Sequence, residues 1–365
     1  MILKYIFAFI LFIHGLLHFT GFAKAFNFTS FGQFTIEVSK SAALAWLLTA
    51  GLFIASALMY FFKKDRWSLV AIIAVLFSQI LIITVWKDAR WWTLTNCIVS
   101  LIAVPDFGNF RFNRMVNSEI SSLLSGHWEN KTVITNEMLE NLPAIVRQWL
   151  VNSGVVGKEK IQFVRLRQKG EMRTKPNGKW MKFRATEYFT VNEPQFVWKT
   201  RLKMGPFLSL TGRDKFMSNI ADMQIKLLSV INLVHAKDNT KLNSASMIRY
   251  LAEIVWFPSA ALNHYIKWES IDATSAKATL SYNGTSVSGI FRFNEKANFL
   301  SFEADRYMNN GSEASIEKWC VEVTGYKYFQ GIRIPYKNEV TWKLKSGDFN
   351  WANIELTDLK YNLPV

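Results

Sequence analysis

The sequence predicts a membrane-anchored α+β protein. An N-terminal four-helix transmembrane domain should precede a large, curved, mostly antiparallel sheet, half-barrel in form, with one inserted helix. Three observations carry this expectation. Uncharged apolar runs of bilayer-spanning length crowd the first 110 residues. From Ile161 onward, hydrophobicity alternates with period two between hairpin-type turns. One helical stretch, Ser244–Trp256, stands between two groups of such strands and stops before Pro258. The expected limits are 1–110 for the membrane domain, 111–134 for an amphipathic connector and 135–365 for the β-rich domain.

The runs Tyr5–Ala23, Ser41–Phe62 and Trp67–Trp86 contain 19, 22 and 20 residues without Asp, Glu, Lys or Arg. A helix crosses about 30 Å of hydrocarbon with about 20 residues. A fourth run, Trp91–Pro105, has 15 residues before Asp106 and is read as a short span or a re-entrant segment. Trp46, Trp67, Trp86, Trp91 and Trp92 lie near the run ends, where indole rings favour the headgroup level. Four such runs, the first long, do not describe a cleaved signal peptide. One side of the membrane carries Lys4, Lys63, Lys64, Arg66, Arg111 and Arg114, and the other Lys24, Lys40, Lys87 and Arg90. That six-to-four bias places both termini, and the large domain, in the cytoplasm.

After Arg111, the apolar residues Phe112, Met115, Val116, Ile120, Leu123 and Leu124 recur at helical spacing before Gly126. A further helix is expected over Asn136–Val151. In the strands, Met181, Phe183, Ala185 and Phe189 alternate with polar residues, as do Phe196, Trp198, Thr200 and Leu202, and later Ala276, Ala278, Leu280 and Tyr282. Pro176-Asn177-Gly178, Asn283-Gly284 and Gln330-Gly331 are hairpin turns by composition. About five strands should precede residue 232 and six or seven should follow residue 264. A curved sheet with a helix across it tends to enclose an apolar hollow.

Composition excludes several classes. With 50% hydrophobic and 15% aromatic residues the chain is neither disordered nor collagenous. Cys97 and Cys320 cannot make a disulfide framework, and His14, His18, His127, His235 and His264 match no zinc-finger or HExxH spacing. The net charge is +15, of which +10 lies beyond residue 111.

The segment Arg249-Tyr250-Leu251-Ala252-Glu253-Ile254-Val255-Trp256-Phe257-Pro258-Ser259-Ala260-Ala261-Leu262 resembles a bacterial family of domains of unknown function that carries an RYLAExxWFPxxLL segment. Further matches stand at Gly170-Glu171-Met172-Arg173, Phe196-Val197-Trp198, Arg213-Asp214, Trp268-Glu269 and Val340-Thr341-Trp342. The resemblance covers roughly residues 140–360 and implies a bacterial inner-membrane protein. The order of strands and helix is also similar to LolA-type lipoprotein and lipid carriers, which implies lipid binding. Carriers of that type work outside the cytoplasm, the opposite side from the one the charge count gives.

Candidate sites follow from residue chemistry. Arg249 and Glu253 are four apart on one helix face, and Arg213 or Asp214 on neighbouring strands would complete a buried charged group. With Tyr250 and Trp256, these are the expected ligand-binding residues. The expected partner is a membrane lipid or apolar small molecule, with no cofactor and no nucleic acid. The competing class is an enzyme on a membrane-derived substrate using Arg213, Asp214, His264 or Glu253, although no nucleophile motif is present. A third class is a structural or sensory domain with a filled core. His14 and His18 share one helix face and are the candidate metal ligands, weighed against hydrogen bonding to Ser78, Gln79 or Thr84. Lys158–Arg184 holds ten Lys/Arg against Glu159 and Glu171. Lys182, Arg184, Lys199 and Arg201 on the polar face of the strands should meet anionic headgroups if the domain lies at a membrane.

Overall fold

The computed structural model describes residues 2–26, 35, 38–126, 132–205, 208–308 and 314–362. His127 and part of the expected connector lie outside them. The chain forms two compact units, Met1–Arg114 with Leu228–Val230, and Met115–Leu227 with Ile231–Val365.

The first unit contains helices α1 (Ile2–Ala25), α2 (Lys40–Phe61), α3 (Trp67–Thr84), the short α4 (Trp86–Ala89) and the start of α5 (Trp92–Leu124). Among the described residues α1, α2 and α3 are long and apolar enough to cross a membrane. Their contacts use small residues, which let helix backbones approach closely. A Cβ on Gly21 would lie 2.4 Å from the Trp46 ring, and Ala43, Ala50, Ala57, Ala71 and Ala74 are buried. Large apolar side chains such as Leu44, Leu76, Ile80 and Ile83 point outward instead. The fourth apolar run and the amphipathic stretch after it form one 33-residue helix that passes through Pro105.

The second unit is built on one 13-stranded antiparallel sheet. Its first arm is β1 (Phe163–Met172), β2 (Met181–Thr190), β3 (Gln195–Lys203), β4 (Ser209–Met217), β5 (Ile220–Leu227) and β6 (Ile231–Lys237). The second arm is β7 (Ile266–Ser270), β8 (Ser275–Tyr282), β9 (Thr285–Phe293), β10 (Phe299–Tyr307), β11 (Ile316–Phe329), β12 (Ile332–Leu344) and β13 (Gly347–Tyr361). The order β6-β5-β4-β3-β2-β1-β13-β12-β11-β10-β9-β8-β7 joins two meanders through the β1–β13 pair and leaves the sheet unclosed. Asn283 and Gly284, like Gln330 and Gly331, have positive φ at both positions, the two-residue hairpin geometry their sequence indicates.

Helix α6 (Ala144–Ser153) is shorter than the expected Asn136–Val151. Pro143 lacks an N–H and crowds the preceding turn, so it serves as N-cap, and only the 3-10 turn Glu137–Leu139 forms ahead of it. Helix α7 spans Thr240–Glu253 and continues as a 3-10 turn to Trp256. It starts four residues before the expected Ser244 because the Asn239 side chain accepts from the Leu242 N–H at 2.8 Å. Helix α7 contacts β4 and β5 of one arm and β8, β9 and β10 of the other. It therefore lies across the inner face, where nine of its residues are buried.

Candidate functional site

Register fixes what the inner face presents. Asn338 pairs with Ile354, Ile354 with Gly170, Gly170 with Phe183, Phe183 with Leu202 and Leu202 with Leu210. Next to this row run Val321, Val340, Ala352, Met172 and Met181, again as successive partners. Side chains of period two from each strand thus build one apolar floor. Gly170 has a local reason to be glycine: a Cβ there would sit 2.1 Å from the Asn353 carbonyl oxygen and 2.8 Å from the Phe183 ring. Between floor and helix remains a cavity of about 410 Å³, whose walls include both rows apart from Gly170.

Arg249 of α7 lines this cavity. Its Nη2 donates to Glu187 Oε1 at 2.6 Å, its Nη1 to Asp214 Oδ2 at 2.8 Å and its Nε to Glu253 Oε1 at 2.9 Å. The guanidinium also lies over the Phe196 and Trp198 rings, at 4.9 and 5.1 Å. Trp198 Nε1 donates to Gln168 Oε1 at 2.9 Å, and Gln168 Nε2 donates to Glu187 Oε2 at 3.3 Å. Glu187 is fully buried. Burial would lower the Arg249 pKa, but the three carboxylates outweigh it and raise it. Burial raises Glu187 well above the ordinary glutamate range, against the pull of Arg249, and the neighbouring carboxylates add to the rise. Glu253 is raised for the same first reason. With Glu187 and Glu253 both raised beside one guanidinium, these two glutamates are the carboxyls of the group that take up a proton most readily.

The expected ligand-binding residues divide between two faces. Asp214, Arg249, Glu253 and Trp256 line the cavity. Arg213 contributes to the wall, but its guanidinium is engaged by Asp222 at 2.7 Å and Glu119 at 3.3 Å, so the partner of Arg249 is Asp214. Tyr250 faces the core: its hydroxyl donates to the Thr190 carbonyl at 3.0 Å, and its ring packs against Phe189 and Phe257. The Tyr361 hydroxyl donates to the Trp256 carbonyl at 2.5 Å, tying the end of the helix segment to β13. His264 is exposed and stands outside the cavity walls. Lys182, Arg184 and Arg201 are exposed, Lys199 is half-buried, and Arg184 is the register partner of Arg201.

Sequence reasoning passed over several residues of the site. Glu187, which stands behind the wall, has the parity of Phe183, Ala185 and Phe189, its available signal. Arg306, Trp319, Asn338 and Trp342 line the cavity. Arg306 continues the inward parity of the buried Phe302 and Ala304. Asn338 is 2% exposed, and neither its side-chain nitrogen nor its oxygen has a hydrogen-bond partner among the described residues.

In the first unit, His14 and His18 enter a polar network. His18 Nδ1–H donates to the His14 carbonyl at 2.8 Å, so its Nε2 accepts from the Ser78 hydroxyl at 2.9 Å. His14 Nε2 donates to Asn96 Oδ1 at 3.0 Å, while Asn96 Nδ2 donates to Ser78 and Gln79, each at 3.0 Å. Of the three expected partners Ser78 bonds a histidine directly; Gln79 joins the network through Asn96, and Thr84 donates instead to the Leu81 carbonyl. Among the described residues no group of three or more His, Cys, Asp or Glu is placed to hold a metal ion.

Comparison with solved structures finds a LolA superfamily protein from Nitrosomonas europaea, 12% identical, covering 60% of this chain and 94% of its own, with a TM-score of 0.30. No curated protein matches the chain. Residues 132–354 match the model of a family of unknown function, DUF6544, and with more than half of its length so covered the chain belongs to that family.

Proposed function

We propose that the β-rich unit is a membrane-tethered binding domain that takes a lipid or another apolar ligand into its cavity. One observation carries this reading: the inner face is apolar by register, yet a volume of about 410 Å³ between it and α7 is left unfilled by side chains. Protein interiors normally close such space, and pockets of roughly 300–1,000 Å³ with apolar walls and a few polar groups are the usual form of a small-molecule site. Three apolar helices in the same chain support delivery to or from a bilayer. The Lys and Arg count supports the cytoplasmic side of that membrane.

Native mass spectrometry of the full chain, extracted in mild detergent, tests the reading. An adduct of lipid or fatty-chain mass should accompany the protein and disappear in Val340→Trp, whose indole would occupy the floor. An adduct retained unchanged by that variant would assign it to the membrane helices and refute the cavity as the site.

A further inference from the structure

The cavity wall holds two more arginines beside Arg249 and Arg213. Arg306 Nε donates to the Ala245 carbonyl at 3.0 Å, which fixes the plane of its guanidinium over the rings of Trp319 at 4.8 Å and Trp342 at 5.5 Å. Arg173 Nε donates to the Asn350 carbonyl at 2.8 Å, and its guanidinium lies 4.5 Å from the Trp180 ring and 5.7 Å from the Phe349 ring. Trp342 and Phe349 are register partners on β12 and β13, so the two cations stand over neighbouring rings. All four residues line the cavity.

The contrast with the other arginines of the wall is chemical. Arg249 meets three carboxylates and Arg213 two, whereas neither Arg173 nor Arg306 has an ion pair among the described residues. In each, Nε is occupied and the terminal nitrogens remain, the fork that matches the oxygens of a carboxylate or phosphate. Burial, and then repulsion from Arg249, lower the Arg306 pKa to about 10, which leaves it charged at neutral pH. Both arginines are half-buried, and a partly desolvated cation without an ion pair is costly. Asn338, buried and without a partner, stands four residues along β12 from Trp342. From β12 to β3 the apolar floor crosses four strand spacings, about 19 Å at about 4.8 Å each.

We propose that Arg173 and Arg306 bind the anionic headgroup of a single-chain amphiphile whose tail lies across the floor toward Phe183 and Leu202. The inference rests on the apolar-ligand reading above and adds the headgroup, its place and its charge. The nearby Asp214 and Glu253 do not oppose it, because both are held by Arg249.

The test uses the full chain, delipidated in amphipol, with dodecanoate, dodecyl phosphate, dodecanol and dodecyltrimethylammonium as probes at pH 7. Both anions should bind at least tenfold more tightly than the alcohol, and the stronger of the two identifies the headgroup class. In the double variant Arg173→Met/Arg306→Met the preference should fall to within about twofold, with dodecanol binding unchanged. Anions bound no better than dodecanol, a preference that survives the double change, or tighter binding of the ammonium would each overturn the headgroup assignment while leaving the cavity reading intact. Binding of none of the four probes would instead defeat the cavity reading itself. If the double variant does not fold, carboxyl-labelled dodecanoate on the unaltered protein decides by NMR. A bound carboxyl that titrates below the free one supports the assignment, and one that titrates at or above it refutes it.

Discussion

Replacing Arg249 by methionine keeps an unbranched stem against Phe196 and Trp198 and removes the cation shared by Glu187, Asp214 and Glu253. At least one carboxyl must then take up a proton to remain buried. Holding a glutamate neutral costs about 1.4 kcal/mol for each pH unit above its unfolded pKa of about 4.3. The loss is therefore about 4 kcal/mol at pH 7 and about 1 kcal/mol at pH 5 per added proton, and the larger figure agrees with the roughly 3–5 kcal/mol typical of a broken buried pair. The sign follows from proton counts: the folded variant binds more protons than the unfolded chain, so its stability falls as pH rises. At about 2–4 °C per kcal/mol for a domain of this size, the melting transition of the β-rich unit should drop by about 8–16 °C at pH 7 and by about 2–4 °C at pH 5. Thermal unfolding in detergent, followed by tryptophan fluorescence at the two pH values, measures this. Adding Glu187→Gln to the variant should recover much of the loss at pH 7 and little at pH 5. Equal losses at both pH values, or a loss at pH 7 below about 1 kcal/mol, would refute a buried carboxylate cluster held by Arg249.

Three further outcomes are expected. Gly170→Ala sets a Cβ 2.1 Å from the Asn353 carbonyl oxygen, so denaturant unfolding should show about 1–3 kcal/mol of destabilisation, the usual range for overpacking; an unchanged midpoint would mean that β13 gives way freely. Reversing Lys182, Arg184, Lys199 and Arg201 to Glu in a fragment beginning at residue 115, which keeps Glu119 with Arg213, should weaken sedimentation with anionic vesicles at low salt. The difference should shrink as salt rises, since exposed charges are screened beyond about 10 Å at 0.1 M; identical sedimentation would leave these residues as a solvated face. Reporters fused after Lys64 and after Lys131 should lie on the same side of the membrane if the first half of α5 crosses it, and opposite sides would exclude that crossing.

Local chemistry was legible and distant pairing was not. The alternation of Phe196, Trp198, Thr200 and Leu202 gave β3 its faces, and Asn-Gly and Gln-Gly gave two hairpins. The i,i+4 spacing of Arg249 and Glu253 gave half of the charged cluster. Glu187 shares the parity of its buried neighbours, but only Arg249, 62 residues away, makes its burial tolerable. Arg306 and Asn338 sit at inward positions of strands whose partners the turns do not name. Pro143 and Asn239 show the opposite case: each is a local signal, a breaker and a cap, whose effect on helix limits was readable and underweighted.

The pairing of β1 with β13 has a consequence for how the domain is made. Each arm is a run of neighbouring hairpins that can zip locally, whereas the seam joins Val164 to Tyr361 and Met172 to Ala352 across nearly the whole domain. Contacts of such long sequence separation cost the most loop entropy and form slowly, so the seam is the natural rate-limiting step of folding. Within this sheet it is also the seam that synthesis completes last, because β13 follows the other twelve strands in the chain. The first arm must therefore wait with the edge of β1 unpaired, and a chain cut after Leu344 would not lose a border strand but would be left as two separate sheets.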